Sequence, residues 1–311
     1  MVSTVFFIRS SSFRHFYEIP SMTLLPAIAT GGSASWINVE FQKMSRTVLS
    51  PALTMGKVLA DSMVHHVHQK IAQWLTNARH AVIFTGAGMS TESGIPDFRS
   101  PGGVWATNQP VMFDQFLASA EARKEYWRQK AIAHEGFVQA VPNAGHHVLA
   151  RWEIAGKIKA IITQNIDGLH QDAGSRRVLE LHGTARWVAC LVCETRYDAD
   201  EMVTRYQAAG APPDCPNCGG IMKHATVSFG QALPETILSD ATSHAQAADL
   251  FVAMGSSLVV HPAATLPEMA RRHGSRLVIL NREPTPLDDL ADTVLHAPLG
   301  ETLKAVDEIM Q

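Results

Sequence analysis

Short apolar runs alternate with helical stretches along most of the chain, and this alternation constrains the fold more than any other feature. Five such runs end in polar or small residues: Ala81–Phe84, Ala160–Ile162, Leu250–Met254, Leu277–Leu280 and Thr293–Leu295. The helical stretches are an amphipathic helix that starts near residue 63, Asn143–Ile154 with Asn143 as N-cap, Pro234–Ala247 and Ala263–His273. The pattern predicts an α/β fold with a doubly wound parallel sheet.

The carboxyl ends of four of these strands carry small or hydrogen-bonding residues. They are Thr85-Gly86-Ala87, Thr163-Gln164-Asn165, Gly255-Ser256-Ser257 and Asn281-Arg282-Glu283. Ligands of doubly wound sheets bind outside these ends. The sequence therefore predicts one ligand site that several strand ends build together.

The first strand runs into a glycine turn that suits a phosphate. Gly86 and Gly88 are expected to adopt backbone angles that a side chain would forbid and to let a ligand approach closely. Ser90 is expected to cap a short helix whose N–H groups face the phosphate. A dinucleotide fingerprint would have a third glycine where Thr91 stands, so a purely structural turn is the alternative.

Composition limits the partners that this chain can have. The formal net charge of −3 gives no reason to expect nucleic acid, and no apolar run reaches the roughly 20 residues that span a bilayer. We expect a cytoplasmic protein. Residues 1–54 resemble a transit peptide only faintly, and mitochondrial import is the alternative. A disordered extension over 1–62, or a start at Met55 or Met63, would explain the same residues.

The segment 97–140 interrupts the alternation of strands and helices. It contains Pro101-Gly102-Gly103 and a charged helical stretch around 121–130. Long insertions in compact folds are usually functional, so we expect a helical lid over the site. An insertion without a function is the alternative.

All four cysteines of the chain form two Cys-x-x-Cys pairs. Cys190 and Cys193 are separated from Cys215 and Cys218 by 21 residues, and a Gly-Gly pair follows the second hook. This spacing is typical of four thiolates on one tetrahedral zinc, which makes 185–224 a small zinc-binding module. With no open ligand position the zinc would be structural. Two disulfides or a redox pair are the alternatives.

Polar residues also cluster between the second strand and the first cysteine hook. Asn165 and Asp167 alternate along a short segment, so both side chains can face one pocket, and His182 lies eight residues before Cys190. A single histidine among 15 is usually a core or surface residue, and we assign His146 and His147 to packing or the helix surface. His182 is the exception, because it lies in the same polar cluster as Asn165 and Asp167.

Taken together, these motifs resemble those of the sirtuins, the NAD-dependent protein lysine deacylases, over roughly residues 63–311. The resemblance rests on 86–90, 94–99, 163–167, 181–183, the paired Cys-x-x-Cys, 255–258 and 280–281. It implies a Rossmann-like NAD-binding domain over 63–184 and 225–311, interrupted by the lid and the zinc module. The implied co-substrate is NAD, and one structural Zn²⁺ is implied for each chain.

The resemblance also implies roles for individual residues. His182, Asn165 and Asp167 would be catalytic, with His182 as the base that activates a ribose hydroxyl. The implied NAD contacts are Gly86, Ala87, Gly88, Ser90, Asp97, Phe98, Arg99, Gln164, Asn165, Ile166, Asp167, Gly255, Ser256, Ser257, Asn281 and Glu283. Protein mono-ADP-ribosylation at the same site is an alternative function. A non-enzymatic, NAD-sensing zinc-ribbon module is another.

Acyl-lysine protein substrates are the implied partners, bound as an added strand between 227–230 and 259–262. The implied contacts are Val227, Phe229, Gly230 and Val260, with core packing as the alternative for Phe229 and Val260. Gln231 stands where the family usually has an acid. Family members that remove succinyl or malonyl groups carry Tyr-x-x-Arg in the lid helix, whereas Gln129 follows Tyr126 here and Arg128 is displaced by one position. Neutral acyl groups are therefore expected.

Overall fold

Six parallel strands form the central sheet of this computed structural model, which describes residues 51–97, 103 and 109–311. The helices of the described residues are α1 Pro51–Asn77, α2 Phe113–Ala118, α3 Ala120–Gln139, α4 Ala144–Ile154, α5 Leu169–Asp172, α6 Ala199–Ala209, α7 Glu235–Ala247, α8 Thr265–Arg272 and α9 Leu299–Met310. The strands are β1 Ala81–Thr85, β2 Ala160–Thr163, β3 Val178–Glu180, β4 Gly183–Cys190, β5 Arg196–Asp198, β6 Met222–Thr226, β7 Leu250–Met254, β8 Arg276–Leu280 and β9 Thr293–Leu295.

The order of the strands creates a crevice at the middle of the large sheet. The order is β3-β2-β1-β7-β8-β9, so the chain moves outward from β1 in one direction and returns to its other side with β7. All five pairings are parallel. Ligands of such sheets bind at this switch point, outside the carboxyl ends of the strands. The predicted α/β, doubly wound class is confirmed.

Strand residues alternate between two buried layers on the two faces of this sheet. Ala81 and Ile83 join a core with α1, α4 and α9, whereas Val82 and Phe84 join a core with α7 and α8. Because both faces are covered, the central strands are apolar throughout, which is why they are visible as continuous apolar runs in the sequence. The five predicted strands occur where the sequence placed them, within one residue at each end.

The first helix begins much earlier than its periodicity predicted. It starts at Pro51, inside the extension expected over 1–62. Proline is favoured at the first position of a helix, where its missing N–H costs no hydrogen bond. Among the residues that the structure describes, no helix combines the length and the apolar character needed to cross a bilayer.

A smaller antiparallel sheet, β5-β4-β6, carries the cysteine hooks. The helices α2 and α3 of the predicted lid pack on this sheet, and they share one apolar core with it. Trp127 is fully buried there and donates from Nε1 to Met222 O at 3.1 Å. The segments predicted as a separate lid and zinc module therefore share one hydrophobic core.

Candidate active site at the switch point of the sheet

The loops after β1 and β7 meet backbone to backbone in the crevice. Gly86 N donates to Met254 O at 3.1 Å, and Gly88 N donates to Gly255 O at 2.8 Å. A Cβ on Gly86 would lie 2.7 Å from Gly255 O, and one on Gly255 would lie 2.5 Å from Met89 N. The expectation of unusual angles is wrong for Gly86, whose φ is −131°, and for Gly88, which lies in a 3-10 turn and has no positive φ. Gly255 of the facing loop has a φ of +62°. The glycines are required because the two loops approach each other so closely.

A short helix follows Ser90 as expected, but the predicted cap is wrong. The helix is the single 3-10 turn Thr91–Ser93, a similar turn, Ala87–Met89, precedes Ser90, and the Ser90 side chain caps neither. Instead Ser90 Oγ donates to Asp167 Oδ2 at 2.7 Å and accepts from Asn165 Nδ2 at 3.1 Å. All three side chains are buried. The serine therefore joins the first loop to the two polar residues that follow β2.

The Asp167 carboxyl is held from several sides. Leu169 N donates to Asp167 Oδ1 at 2.9 Å, and Arg186 Nε donates to the Asp167 backbone oxygen at 3.1 Å. Burial raises the pKa of this carboxyl, while the hydrogen bonds from Leu169 N and Ser90 Oγ act against that rise. The group is thus fixed in position and less acidic than an exposed aspartate.

His182 precedes β4 and carries a free base nitrogen. Its Nδ1 lies 2.9 Å from the backbone oxygen of Gln164, which can only accept, so Nδ1 carries the proton and Nε2 of the neutral ring has the lone pair. Burial lowers the pKa of the half-buried imidazole, against the opposing effect of the bond to Gln164 O. The backbone oxygen of His182 accepts from Val227 N at 2.8 Å. A neutral, oriented imidazole of this kind is suited to general-base catalysis.

Gln164 supplies a hydrogen-bond donor that the protein leaves for a ligand. Its Oε1 accepts from Ser256 Oγ at 3.4 Å. Its Nε2 is buried, and none of the described residues is a partner for it. Buried amide nitrogens are nearly always paired, so an orphan in this crevice indicates a bound acceptor such as a ribose hydroxyl. The glycine-lined turn and this donor fit NAD.

A buried hydrogen-bond chain that the sequence did not predict lies beneath Asn165. Asn165 N and Thr85 Oγ1 donate to Thr163 Oγ1 at 3.0 and 2.8 Å. Since the Thr85 hydroxyl has one hydrogen, the 3.0 Å bond between His170 and Thr85 must run from His170 Nε2–H. The His170 ring stacks edge-on against His146, with centroids 4.9 Å apart. The one available signal was that Thr85 and Thr163 stand at the carboxyl ends of two strands.

Burial keeps both of these histidines neutral. It lowers the pKa of His170 to about 3 and that of His146 to about 4. His146 lowers the pKa of His170 further, and His147 lowers that of His146 further. His146 is completely buried and His147 is exposed, consistent with packing for the first and a helix-surface position for the second.

The remaining residues of the implied NAD site are spread around the crevice. Asn281 follows β8, and its Nδ2 donates to the backbone oxygen of the exposed Glu283 at 2.7 Å. Ala87, Asp97, Ile166 and Ser257 are half-buried, and Ser256 is buried. Phe98 and Arg99 lie outside the described residues.

The two segments implied for peptide binding differ in their exposure. Phe229 is 40% and Val259 is 45% exposed, whereas Val227 and Val260 are half-buried. The Phe229 backbone oxygen accepts from Phe113 N at 2.9 Å, so the start of α2 holds this segment. Because the Phe229 side chain is exposed, the alternative that it packs in the core is wrong.

The four cysteines converge on one point of the small domain. Their sulfur atoms all lie within 4.8 Å of one another, with Cys190–Cys218 at 3.5 Å and Cys193–Cys215 at 3.7 Å, and all are free thiols. Four thiolates about 2.3 Å from a tetrahedral zinc are about 3.8 Å apart. Val192 N donates to Cys190 Sγ at 3.3 Å. The four cysteines therefore fit a structural zinc site, and NAD and zinc are the two groups that this chain is built to hold.

The fold and the two sites define an α/β protein that holds a dinucleotide at the switch point of a parallel sheet, beside a structural zinc module. A sequence model of the Sir2 family matches residues 86–262. The NAD-dependent protein deacetylase 1 of Bradyrhizobium diazoefficiens is 50% identical over 237 residues, which are 76% of this chain and 93% of that protein. The corresponding deacetylase of Rhodopseudomonas palustris is 48% identical over 248 residues, 79% of this chain and 98% of the relative.

Solved structures agree with this similarity. A Sir2 protein with a deacetylated peptide and 3′-O-acetyl-ADP-ribose has a TM-score of 0.72 and 38% identity, covering 77% of this chain and 97% of that one. Sir2 with a peptide and NAD+ has a TM-score of 0.70 and 39% identity, with 77% and 96% covered. The chain belongs to the Sir2 family.

Proposed function

We propose that this NAD-dependent protein deacylase removes acetyl groups from protein lysines. In the reaction, acetyl-lysine, NAD and water give lysine, nicotinamide and O-acetyl-ADP-ribose, so the acetyl group moves to a ribose hydroxyl as the bond to nicotinamide breaks. Support comes from relatives named NAD-dependent protein deacetylase and from a Sir2 structure with an acetylated peptide.

The observation that carries the proposal is the unprotonated Nε2 of His182. Its proton is fixed on Nδ1 by Gln164 O, and its lowered pKa keeps the ring neutral at pH 7. Nε2 can therefore take the proton of a ribose hydroxyl, which lets that oxygen attack the acyl carbon. Asn165, Asp167 and Ser90 form a rigid polar wall where the nicotinamide end would bind.

The lid helix favours a neutral acyl group over a dicarboxylic one. Tyr126 is buried in the small-domain core against Phe116, and Arg128 is partly exposed and paired with Glu125 at 2.7 Å. Gln129 Nε2 donates to Gln109 O at 2.9 Å. Of these side chains only Arg128 is a cation, and a succinyl carboxylate would have to compete with Glu125 to pair with it.

Lys223, a buried cation beside Tyr126, is also engaged. Its Nζ donates to the backbone oxygens of Thr226 and His224 and lies 5.5 Å from the centroid of the Tyr126 ring. Burial lowers the pKa of Lys223 to about 7, so its charge is weakened as well. A Sir2 structure with a propionylated peptide is consistent with a neutral acyl chain.

The peptide is proposed to bind as a strand between Val227–Gly230 and Val259–Pro262. The exposed side chains of Phe229 and Val259 offer apolar contacts on the two sides, and backbone hydrogen bonds would supply affinity without a strong sequence preference. Gln231 does not change this surface greatly, because its Oε1 accepts from Ser228 N at 3.1 Å and closes a local turn.

The test is incubation of the full chain with NAD and an acetyl-lysine peptide, with mass spectrometry of all products. We expect nicotinamide, deacetylated peptide and O-acetyl-ADP-ribose in equal amounts. Nicotinamide together with an ADP-ribosylated protein and an unchanged peptide would contradict the proposal. A parallel series of acetyl, propionyl and succinyl peptides tests the acyl preference, and efficient desuccinylation would overturn that part alone.

A further inference from the structure

The side chain of Asn143 uses every hydrogen-bonding atom that it has. Its Oδ1 accepts from Gly145 N at 3.0 Å and from His146 N at 3.3 Å, which caps α4. Its Nδ2 donates to Met89 O at 2.8 Å and to Ser93 Oγ at 3.0 Å. The cap was predicted from the sequence, whereas the two bonds to a loop about 50 residues away in the chain were not.

Met89 and Ser93 stand on either side of Ser90 in the loop after β1. Each of the two 3-10 turns of this loop has only three residues, and short 3-10 turns have poorer hydrogen-bond geometry than an α-helix, so the position of the loop depends on contacts from outside. Asn143 supplies two of those contacts. A second anchor lies at the far turn, where Glu92 Oε1 accepts from Gly300 N at 3.0 Å.

We propose that Asn143 is a positioning residue for the NAD-cleaving site. By fixing Met89 and Ser93, it sets the Ser90 hydroxyl that donates to Asp167 and accepts from Asn165. The amide does not touch the reacting atoms. Because this inference rests on the proposed function, its test must work even if that function is wrong.

The decisive variant is Asn143→Asp, which keeps the oxygen that caps α4 and loses the donor. A carboxylate oxygen then faces the carbonyl of Met89. We expect NAD to bind about tenfold more weakly by calorimetry, and kcat/KM for NAD to fall by at least that factor. Ser93→Ala removes one of the two acceptors and should shift both quantities in the same direction by less.

A matched control separates positioning from general loss of stability. Asp198 caps α6 through bonds from Asp200 N and Glu201 N, in the small domain, so Asp198→Ala destabilises the protein by removing a helix cap without touching the loop. We expect it to leave NAD affinity and kcat/KM unchanged. Unchanged NAD affinity in Asn143→Asp, or an equal loss in both variants, would overturn the proposal.

The binding readout also separates this inference from the proposed function. If the wild-type chain binds NAD but does not deacetylate the peptide, the proposed function fails, and the affinities of Asn143→Asp and Asp198→Ala still decide the role of Asn143. If the wild-type chain does not bind NAD, both are overturned.

Discussion

The crevice of the large sheet and the cysteine cluster of the small domain are built in opposite ways. The crevice takes its residues from the ends of four strands, spread from Thr85 to Asn281, and holds them by backbone contacts and buried side-chain bonds. The cysteine cluster takes its ligands from two local hooks in one segment of the chain. The difference shows that a distributed site depends on the register of the sheet, whereas a local site depends on spacing and a bound metal.

The largest expected effect on stability is that of removing the zinc. Chelation, or Cys215→Ser, should lose the metal and loosen the small domain, because structural zinc sites contribute roughly 10 kcal/mol or more to folding in small metal-binding peptides. The large sheet should stay folded. Hydrogen exchange is the measurement, with faster exchange expected in α3, α6 and β4–β6 and unchanged protection in β1 and β7.

Deacylation should fall with the zinc by more than about tenfold, even though the zinc performs no chemistry. His182 directly precedes β4, the strand that ends at Cys190, and the Phe229 segment is held by α2. Equal loss of protection in both sheets would contradict the separation of the two regions, and full activity in a zinc-free protein would contradict the expected loss of deacylation.

The second-largest expected effect on stability comes from the close approach of the two loops in the crevice. Gly255→Ala should lower the free energy of unfolding by about 3 kcal/mol and weaken NAD binding, since a Cβ would collide with Met89 N and the φ of +62° is unfavourable. Gly274→Ala is the matched control, with a φ of +92° and open space around its Cβ.

Urea denaturation of both glycine variants separates crowding from backbone strain. Strain alone predicts a loss of about 1 kcal/mol at Gly255, at least as large a loss at Gly274, whose φ of +92° lies further outside the left-handed region, and unchanged NAD affinity. A loss at Gly255 no larger than at Gly274 would show that the approach of the loops is not tight.

The smallest effect is a loss of stability in mild acid. His146 and His170 have pKa values of about 4 and about 3 when folded but near 6.5 when unfolded, so the unfolded state binds more protons below pH 6.5. Their contribution to the free energy of unfolding is complete above pH 6.5 and is lost as the pH falls toward 4. At pH 5.5 each histidine should lower the free energy of unfolding by about 1 kcal/mol.

Urea denaturation at pH 7 and pH 5.5 measures this loss. His146→Phe should reduce the difference between the two pH values by about 1 kcal/mol, whereas the exposed His147→Ala should leave it unchanged. The same difference in wild type and His146→Phe would mean that the buried pair is not held neutral.

The sequence predicted five of the six strands of the large sheet and the cysteine hooks because each leaves a local pattern, whereas the three-residue edge strand β3 was missed. Strands buried on both faces are continuous apolar runs, and four thiolates on a zinc need two short spacings. The partner of Ser90 left no such pattern. Its bond to Asp167 spans 77 residues and exists because β1 and β2 are neighbours in register.

The same reason explains the other differences. The bonds of Thr85, Thr163 and His170 cross from one strand end to the next, and the core that α3 shares with β4 and β6 forms between segments about 60 to 100 residues apart. The angles expected at Gly86 were wrong because the glycine is there to let Gly255 approach. Packing between distant segments decided each of these points, and no periodicity records it.

The central claim is that NAD chemistry belongs to the crevice and that the zinc has a structural role only. His182→Ala, measured beside His147→Ala for product formation, zinc content and thermal stability, tests it most directly. We predict that His182→Ala loses deacylation by at least about 100-fold with the zinc content and melting temperature of the wild type. Substantial deacylation by His182→Ala would contradict the claim, and so would loss of zinc together with loss of activity.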